Sequence, residues 1–81
     1  MSVKPNRTLD CLGLYCPEPV FRTRLELDQM TIGEVLELHA DDPAAEEDIK
    51  RLVKRLGQTL LEMRRENGAF IFLIRKSKTN E

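Results

Sequence analysis

The sequence predicts a two-layer α/β sandwich (α+β in class), with element order βαβαββ and both helices on one face of the sheet. Three observations carry this prediction. Two stretches repeat apolar residues at helical spacing, around 17–30 and 43–56. Four short stretches either alternate in polarity or run apolar, as strands do. Asn67-Gly68 joins the last two strands as a tight hairpin. Eighty-one residues make one domain, 1–81, with an ordered core at about 7–76 and polar, frayed ends at 1–6 and 77–81.

Each element has a local reason. Arg7–Cys11 alternates, with Leu9 and Cys11 on one face and Thr8 and Asp10 on the other. Residues 17–30 place Val20, Thr23, Leu27 and Met30 in one stripe, and Thr31-Ile32-Gly33 ends the helix in a turn. Glu34–Ala40 points Leu36, Leu38 and Ala40 inward and Val35, Glu37 and His39 outward. Asp42 is the expected cap of the second helix, with Pro43 at its first position and Gly57 as its stop. Ala45, Ile49, Leu52, Val53 and Leu56 form that helix's buried stripe; Glu46–Lys50 and Glu47–Arg51 are stabilising pairs four residues apart. Thr59–Arg65 and Ala69–Lys76 are the last strands. Phe70-Ile71-Phe72-Leu73-Ile74 is apolar on both faces, which predicts a central position.

Composition excludes several function classes. No apolar run is long enough to cross a membrane, and Met-Ser-Val-Lys-Pro-Asn is too polar to begin a signal peptide, so a cytoplasmic location is expected. Two cysteines make no disulfide framework. Cys11-x4-Cys16 is neither a redox C-x-x-C nor half of a zinc site, since the chain has a single histidine, His39. No metal or cofactor is expected. The formal charge of −1 hides an asymmetry: residues 1–49 carry 4 basic and 11 acidic side chains, residues 50–81 carry 9 and 3.

The stretch Leu9-Asp10-Cys11-Leu12-Gly13-Leu14-Tyr15-Cys16-Pro17-Glu18-Pro19 concentrates the chemistry. Proline is tolerated in the first helical turn because its missing N–H has no partner there. Cys16 then falls at the cap, where a thiol is a poor substitute for Ser, Thr, Asp or Asn. The helix N-terminus favours a thiolate, with the amides of Glu18 and Val20 as donors, while the Glu18 carboxylate opposes it. A moderately lowered thiol pKa is the expected balance. Without a histidine nearby in sequence to act as base, sulfur is nucleophile and cargo at once.

These residues resemble the signature of the TusA/SirA-like sulfur carriers: Leu9-Asp10-x-x-Gly13-x-x-Cys16-Pro17-x-Pro19, then Met30-x-x-Gly33-Glu34, Asp42-Pro43, Gly57 and Ile74-Arg75-Lys76. The likeness spans residues 8–76. It implies a mixed four-stranded sheet, and a motif cysteine, here Cys16, that accepts sulfur as a persulfide and relays it. Asp10, Gly13, Pro17, Glu18 and Pro19 are its supporting motif positions. The implied donor is a cysteine desulfurase or other sulfurtransferase, and the acceptor another protein of a sulfur relay. The family's uses include tRNA thiolation, molybdenum-cofactor maturation and sulfur oxidation. Such a carrier is a sulfurtransferase-type relay rather than a self-sufficient enzyme. Three positions depart from the pattern: Cys11 replaces another small residue, Leu25 a common basic one, and the proline often found after Ile49 is missing.

The remaining candidates have plainer expectations. Asp10 is expected to bond amides of the Leu12–Tyr15 turn, Cys11 to sit in the core, and His39 to be solvated. Phe21 and Leu25 lie far round the first helix from its buried stripe and mark an apolar partner-docking surface. Lys50, Arg51, Lys54, Arg55, Arg64, Arg65, Arg75 and Lys76 make the C-terminal half basic. They support an alternative, an RNA-binding or protein-docking module of the same fold. Against direct nucleic-acid contact, no aromatic platform interleaves these cations. A thiol peroxidase would need a resolving thiol or a peroxide pocket, and the sequence signals neither.

Overall fold

Phe72 and Ile74 have no exposed surface and lie on the strand that the apolar run placed at the centre. The computed structural model describes residues 4–79; the fraying expected of residues 1–3, 80 and 81 lies outside the described residues. The elements are β1 (Arg7–Cys11), α1 (Glu18–Asp28), β2 (Val35–Ala40), α2 (Ala45–Leu56), β3 (Thr59–Glu66) and β4 (Ala69–Arg75). They form one four-stranded sheet in the order β1-β2-β4-β3. β1 pairs parallel with β2, and β4 runs antiparallel to both of its neighbours, so the sheet is mixed. β4 therefore has a strand on either side, as its two apolar faces require.

The core has one side. Leu27 and Met30 from the α1 end, and Ala45, Ile49 and Val53 from α2, pack with Cys11, Leu36, Leu38, Ala40, Phe72 and Ile74. Those sheet residues share one face by alternation, so both helices cover that face. The opposite face carries no helix, yet Val35, Ile71 and Leu73 are buried on it. Ile71 and Leu73 lie opposite His39 and Glu37 on one side and Arg64 and Glu62 on the other. The long stems of such polar side chains cover apolar surface while their heads stay in water. Val35, expected outward, is outward and still buried.

Boundaries shift for identifiable reasons. α1 begins one residue late, with Pro17 and not Cys16 as its cap, and ends at Asp28. α2 begins at Ala45 with Ala44 as cap, not Asp42. Gly57 stops α2 as expected, at φ 74°, a left-handed conformation that suits glycine. Asn67 and Gly68 both have positive φ, the pattern of a two-residue hairpin turn. β3 carries an irregularity at Leu61 that the sequence did not signal.

The ends are tied further out than expected. Asn6 donates its N–H to the Val35 carbonyl and accepts the Val35 N–H on Oδ1, both at 2.8 Å. The Gln58 side chain accepts the amides of Ser77 and Lys78 and donates to the Lys78 carbonyl. Lys76 is buried, with Nζ donating to the Leu27 carbonyl near the end of α1. Arg51 pairs with Asp48 rather than with Glu47; the Glu46–Lys50 pair forms as expected.

Candidate functional site

The segment between β1 and α1 is held by carboxylates on both sides. Asp10 Oδ1 accepts the Leu12 N–H at 2.9 Å, the expected local turn contact. Gly13, at φ 80°, turns the chain where a side chain would be strained, and its N–H donates to Asp41 Oδ1 at 2.9 Å. The Cys16 N–H donates to Asp42 Oδ2 at 2.7 Å. Asp41 and Asp42 thus brace the cysteine loop from the end of β2. Asp42 also accepts the Ala44 N–H on Oδ1, at 3.3 Å, a local turn contact rather than a helix cap.

Cys16 is exposed, whereas Cys11 is fully buried in the core. Burial pushes the Cys11 thiol up, which disfavours its thiolate. The Cys16–Pro17 peptide is cis, and the Glu18 N–H donates to the Tyr15 carbonyl at 2.8 Å, closing a turn before the helix. That amide is therefore not free for the sulfur. The Cys16 Sγ instead donates to Asp48 Oδ2 on α2, at 3.1 Å.

The expected thiol pKa is corrected by this geometry. Cys16 is raised, first by its hydrogen bond to Asp48 and then by residual desolvation and the charges of Asp48 and Asp42. Glu18, expected to oppose the thiolate, pairs with Arg22 at 3.3 Å. Two carboxylates remote in sequence act against the thiolate, and Cys16 lies one residue outside the helix cap.

Cys16 opens onto a shallow cleft of about 260 Å³ between the start of α1 and one face of α2. Pro17 and Val20 form one wall; Asp48, Arg51, Leu52 and Arg55 form the other. Sequence reasoning missed Asp48, Arg51 and Arg55 as site residues. Their spacing puts them on one helical face with Leu52, a legible signal. That this face meets Cys16 follows only from the packing of α1 against α2. Pro19 is buried, while Pro17 and Glu18 are exposed. Phe21 and Leu25 are 56% and 62% exposed on α1, and Tyr15, beside the thiol, is 74% exposed. Tyr15 is an apolar group the docking expectation left out.

The basic C-terminal half does not form one open patch. Arg64 bridges Glu62 and Glu66 on the helix-free face, Lys50 and Arg65 both reach Glu46, and Lys76 is buried. Arg65 also lies over the Phe70 ring, 5.4 Å from its centroid. His39 is half-buried and paired with Glu37 at 2.6 Å rather than simply solvated. No cluster of His, Cys, Asp and Glu among the described residues could hold a metal ion. No helix among them is long and apolar enough to cross a membrane.

Comparison with known proteins shows the family to which the chain belongs. A family profile described as Sulfurtransferase TusA matches residues 7–76. The chain is 51% identical over 70 residues to an Archaeoglobus fulgidus protein provisionally named as a sulfur carrier, covering 85% of this chain and 91% of that one. It is 40% identical over 72 residues to the sulfur carrier protein TusA of Allochromatium vinosum, covering 89% and 95%. The crystal structure of a SirA-like protein from Desulfitobacterium hafniense superposes with a TM-score of 0.77 at 24% identity, covering 89% of this chain and 99% of that one. That likeness speaks to the fold.

Proposed function

The chain belongs to the TusA sulfurtransferase family, and from that premise we propose that it is a sulfur carrier whose Cys16 bears the cargo as a persulfide. The observation that carries the reading is the contrast between its two thiols. Cys16 is exposed at the mouth of a cleft, and Cys11 is sealed in the core.

Loading is a displacement at sulfur. Cys16 Sγ attacks the outer sulfur of a donor persulfide, a new S–S bond forms, and the donor's S–S bond breaks to leave its thiolate, which takes up the proton. Delivery repeats the step with Cys16 as the leaving group. Neither direction needs an external oxidant. The donor is a cysteine desulfurase or another sulfurtransferase, and the acceptor is a further protein of a sulfur relay. Thiolation of tRNA, molybdenum-cofactor maturation and sulfur oxidation are the pathways that such a relay serves, with the cytoplasm as its setting. Asp10, Gly13, Pro17, Glu18 and Pro19 shape the loop that presents the thiol. Phe21 and Leu25 form the apolar surface on which partners dock.

The dispersed cations do not favour the alternative of an RNA-binding module, since Lys50, Arg51, Arg64 and Arg65 are paired with neighbouring carboxylates and Lys76 is buried. The deciding experiment is intact mass after incubation with a cysteine desulfurase and cysteine. The expected result is a gain of one or more sulfur atoms, removable by reductant, that Cys16→Ser abolishes and Cys11→Ser preserves. A gain that follows Cys11 overturns the assignment.

A further inference from the structure

We propose that Asp48 is a positioning residue that slows the loss of sulfur from Cys16 by disfavouring its thiolate; this rests on the sulfur-carrier reading. The two oxygens of Asp48 have separate tasks. Oδ2 accepts the Cys16 Sγ–H at 3.1 Å, and Oδ1 accepts Arg51 Nη1 at 3.3 Å. The Asp48 side chain remains 23% exposed.

The charged groups around the thiol come from every neighbouring element. Asp48, Arg51 and Arg55 line the cleft from α2, and Asp42 approaches from the β2–α2 loop. Glu18 follows on α1 but is paired with Arg22. The carboxylates prevail, which raises Cys16. Asp48 comes first among them because it alone hydrogen-bonds the sulfur.

This bears on delivery. An acceptor thiolate attacks the outer sulfur of the Cys16 persulfide, a new S–S bond forms, and the bond from Sγ to the outer sulfur breaks. The electron pair goes to Cys16 Sγ, and the resulting thiolate is then protonated from water. A thiolate facing the Asp48 carboxylate is disfavoured, and thiols of higher pKa leave more slowly. Small thiols that meet the free carrier therefore find a poor leaving group.

The test uses the full chain carrying Cys11→Ala, so that Cys16 is the thiol that reacts. Iodoacetamide alkylation is followed against pH for this protein and with Asp48→Asn or Arg51→Gln added. Asp48→Asn should move the profile to lower pH and speed alkylation at pH 7 about two- to fivefold. Arg51→Gln should move it the opposite way, because Arg51 draws on the same carboxylate. Opposite signs from two neighbouring substitutions separate this from general loosening of α2, and circular dichroism checks the fold. In the second arm, protein loaded with sodium polysulfide is mixed with glutathione and the loss of bound sulfur is timed. The Asp48→Asn protein should shed it several-fold faster. Coincident alkylation profiles for Asp48→Asn and its parent overturn the proposal, and equal shedding rates overturn the retention step. Shifted profiles on a protein that never takes up sulfur overturn the carrier reading instead, leaving Asp48's effect on the thiol standing.

Discussion

The carboxylate of Asp42 accepts the backbone N–H of Cys16 at 2.7 Å, across 26 residues of sequence. Asp41 makes the matching contact to the Gly13 N–H. The aspartates at the end of β2 therefore tie the cysteine loop to the sheet. Because both contacts go to backbone, they set the position of the loop whatever the sulfur carries.

Asp42→Ala should remove the contacts to Cys16 and Ala44 together. The expected loss is about 1–2 kcal/mol in denaturant unfolding, the range for a lost cap or charged hydrogen bond. Removing the Asp42 charge should also ease Cys16 toward the thiolate, so the less stable variant alkylates faster at neutral pH. Unchanged stability together with an unchanged alkylation rate would show that the brace does not hold in solution.

Cys16 itself should titrate above the ordinary thiol value of about 8.5, since Asp48 and Asp42 raise it. Reactivity toward iodoacetamide in the Cys11→Ala protein should therefore stay low at pH 7 and climb only in more alkaline solution. Added salt should bring the midpoint back down, because the carboxylates responsible are at the surface and screened. A midpoint below that of a free cysteine would restore the helix terminus as the dominant influence.

How much of this was legible in the sequence depends on range. Leu9 and Cys11 on β1, Ile49 and Val53 on α2, and Asn67-Gly68 declare themselves through periods and turn chemistry that act within a few residues. The exposed place of Cys16 just before α1 was legible because Pro17 and Pro19 fix the start of a helix. Its acid–base character was not, because the partner that sets it lies 32 residues away and meets it only when α2 packs beside α1. Asp42 looked like a helix cap for a related reason. Its side chain can serve a nearby amide or a distant one, and local sequence offers only the first. Lys76 looked like surface charge, and only the fold shows the Leu27 carbonyl that receives it.

Glu46 ties α2 to β3 through Arg65 at 2.6 Å while also accepting Lys50 at 3.1 Å. Arg65 first, then Lys50, hold its carboxyl below the usual range. A carboxylate lowered by folding stabilises the protein above its unfolded pKa of about 4.3 and loses that contribution as pH falls through the folded value. Glu46→Gln should thus melt below the parent at pH 7, and the gap should close below about pH 4. A gap that persists in acid would mean the side chain acts by packing and not by charge.

Phe21 and Leu25 stand one turn apart on the exposed side of α1, the helix that starts beside Cys16. Water meets more than half of each side chain, so replacing both with serine removes little buried surface. The Phe21→Ser, Leu25→Ser protein should unfold within about 0.5 kcal/mol of the parent, as surface substitutions do. Chemical alkylation of Cys16 should be unchanged, because neither residue touches the sulfur, Asp42 or Asp48. Sulfur transfer from a cysteine desulfurase should slow, because two apolar groups that shed water against a partner contribute roughly 1.5–3 kcal/mol each when fully buried. Even half of that across the pair weakens docking about tenfold or more. Transfer kinetics against donor concentration would separate the cases. A raised half-saturation with an intact maximal rate identifies docking, whereas a destabilisation of about 2–5 kcal/mol would make these side chains part of the core. Unchanged kinetics with unchanged stability would move the docking surface elsewhere, with Tyr15, the exposed aromatic beside the thiol, next to be tested.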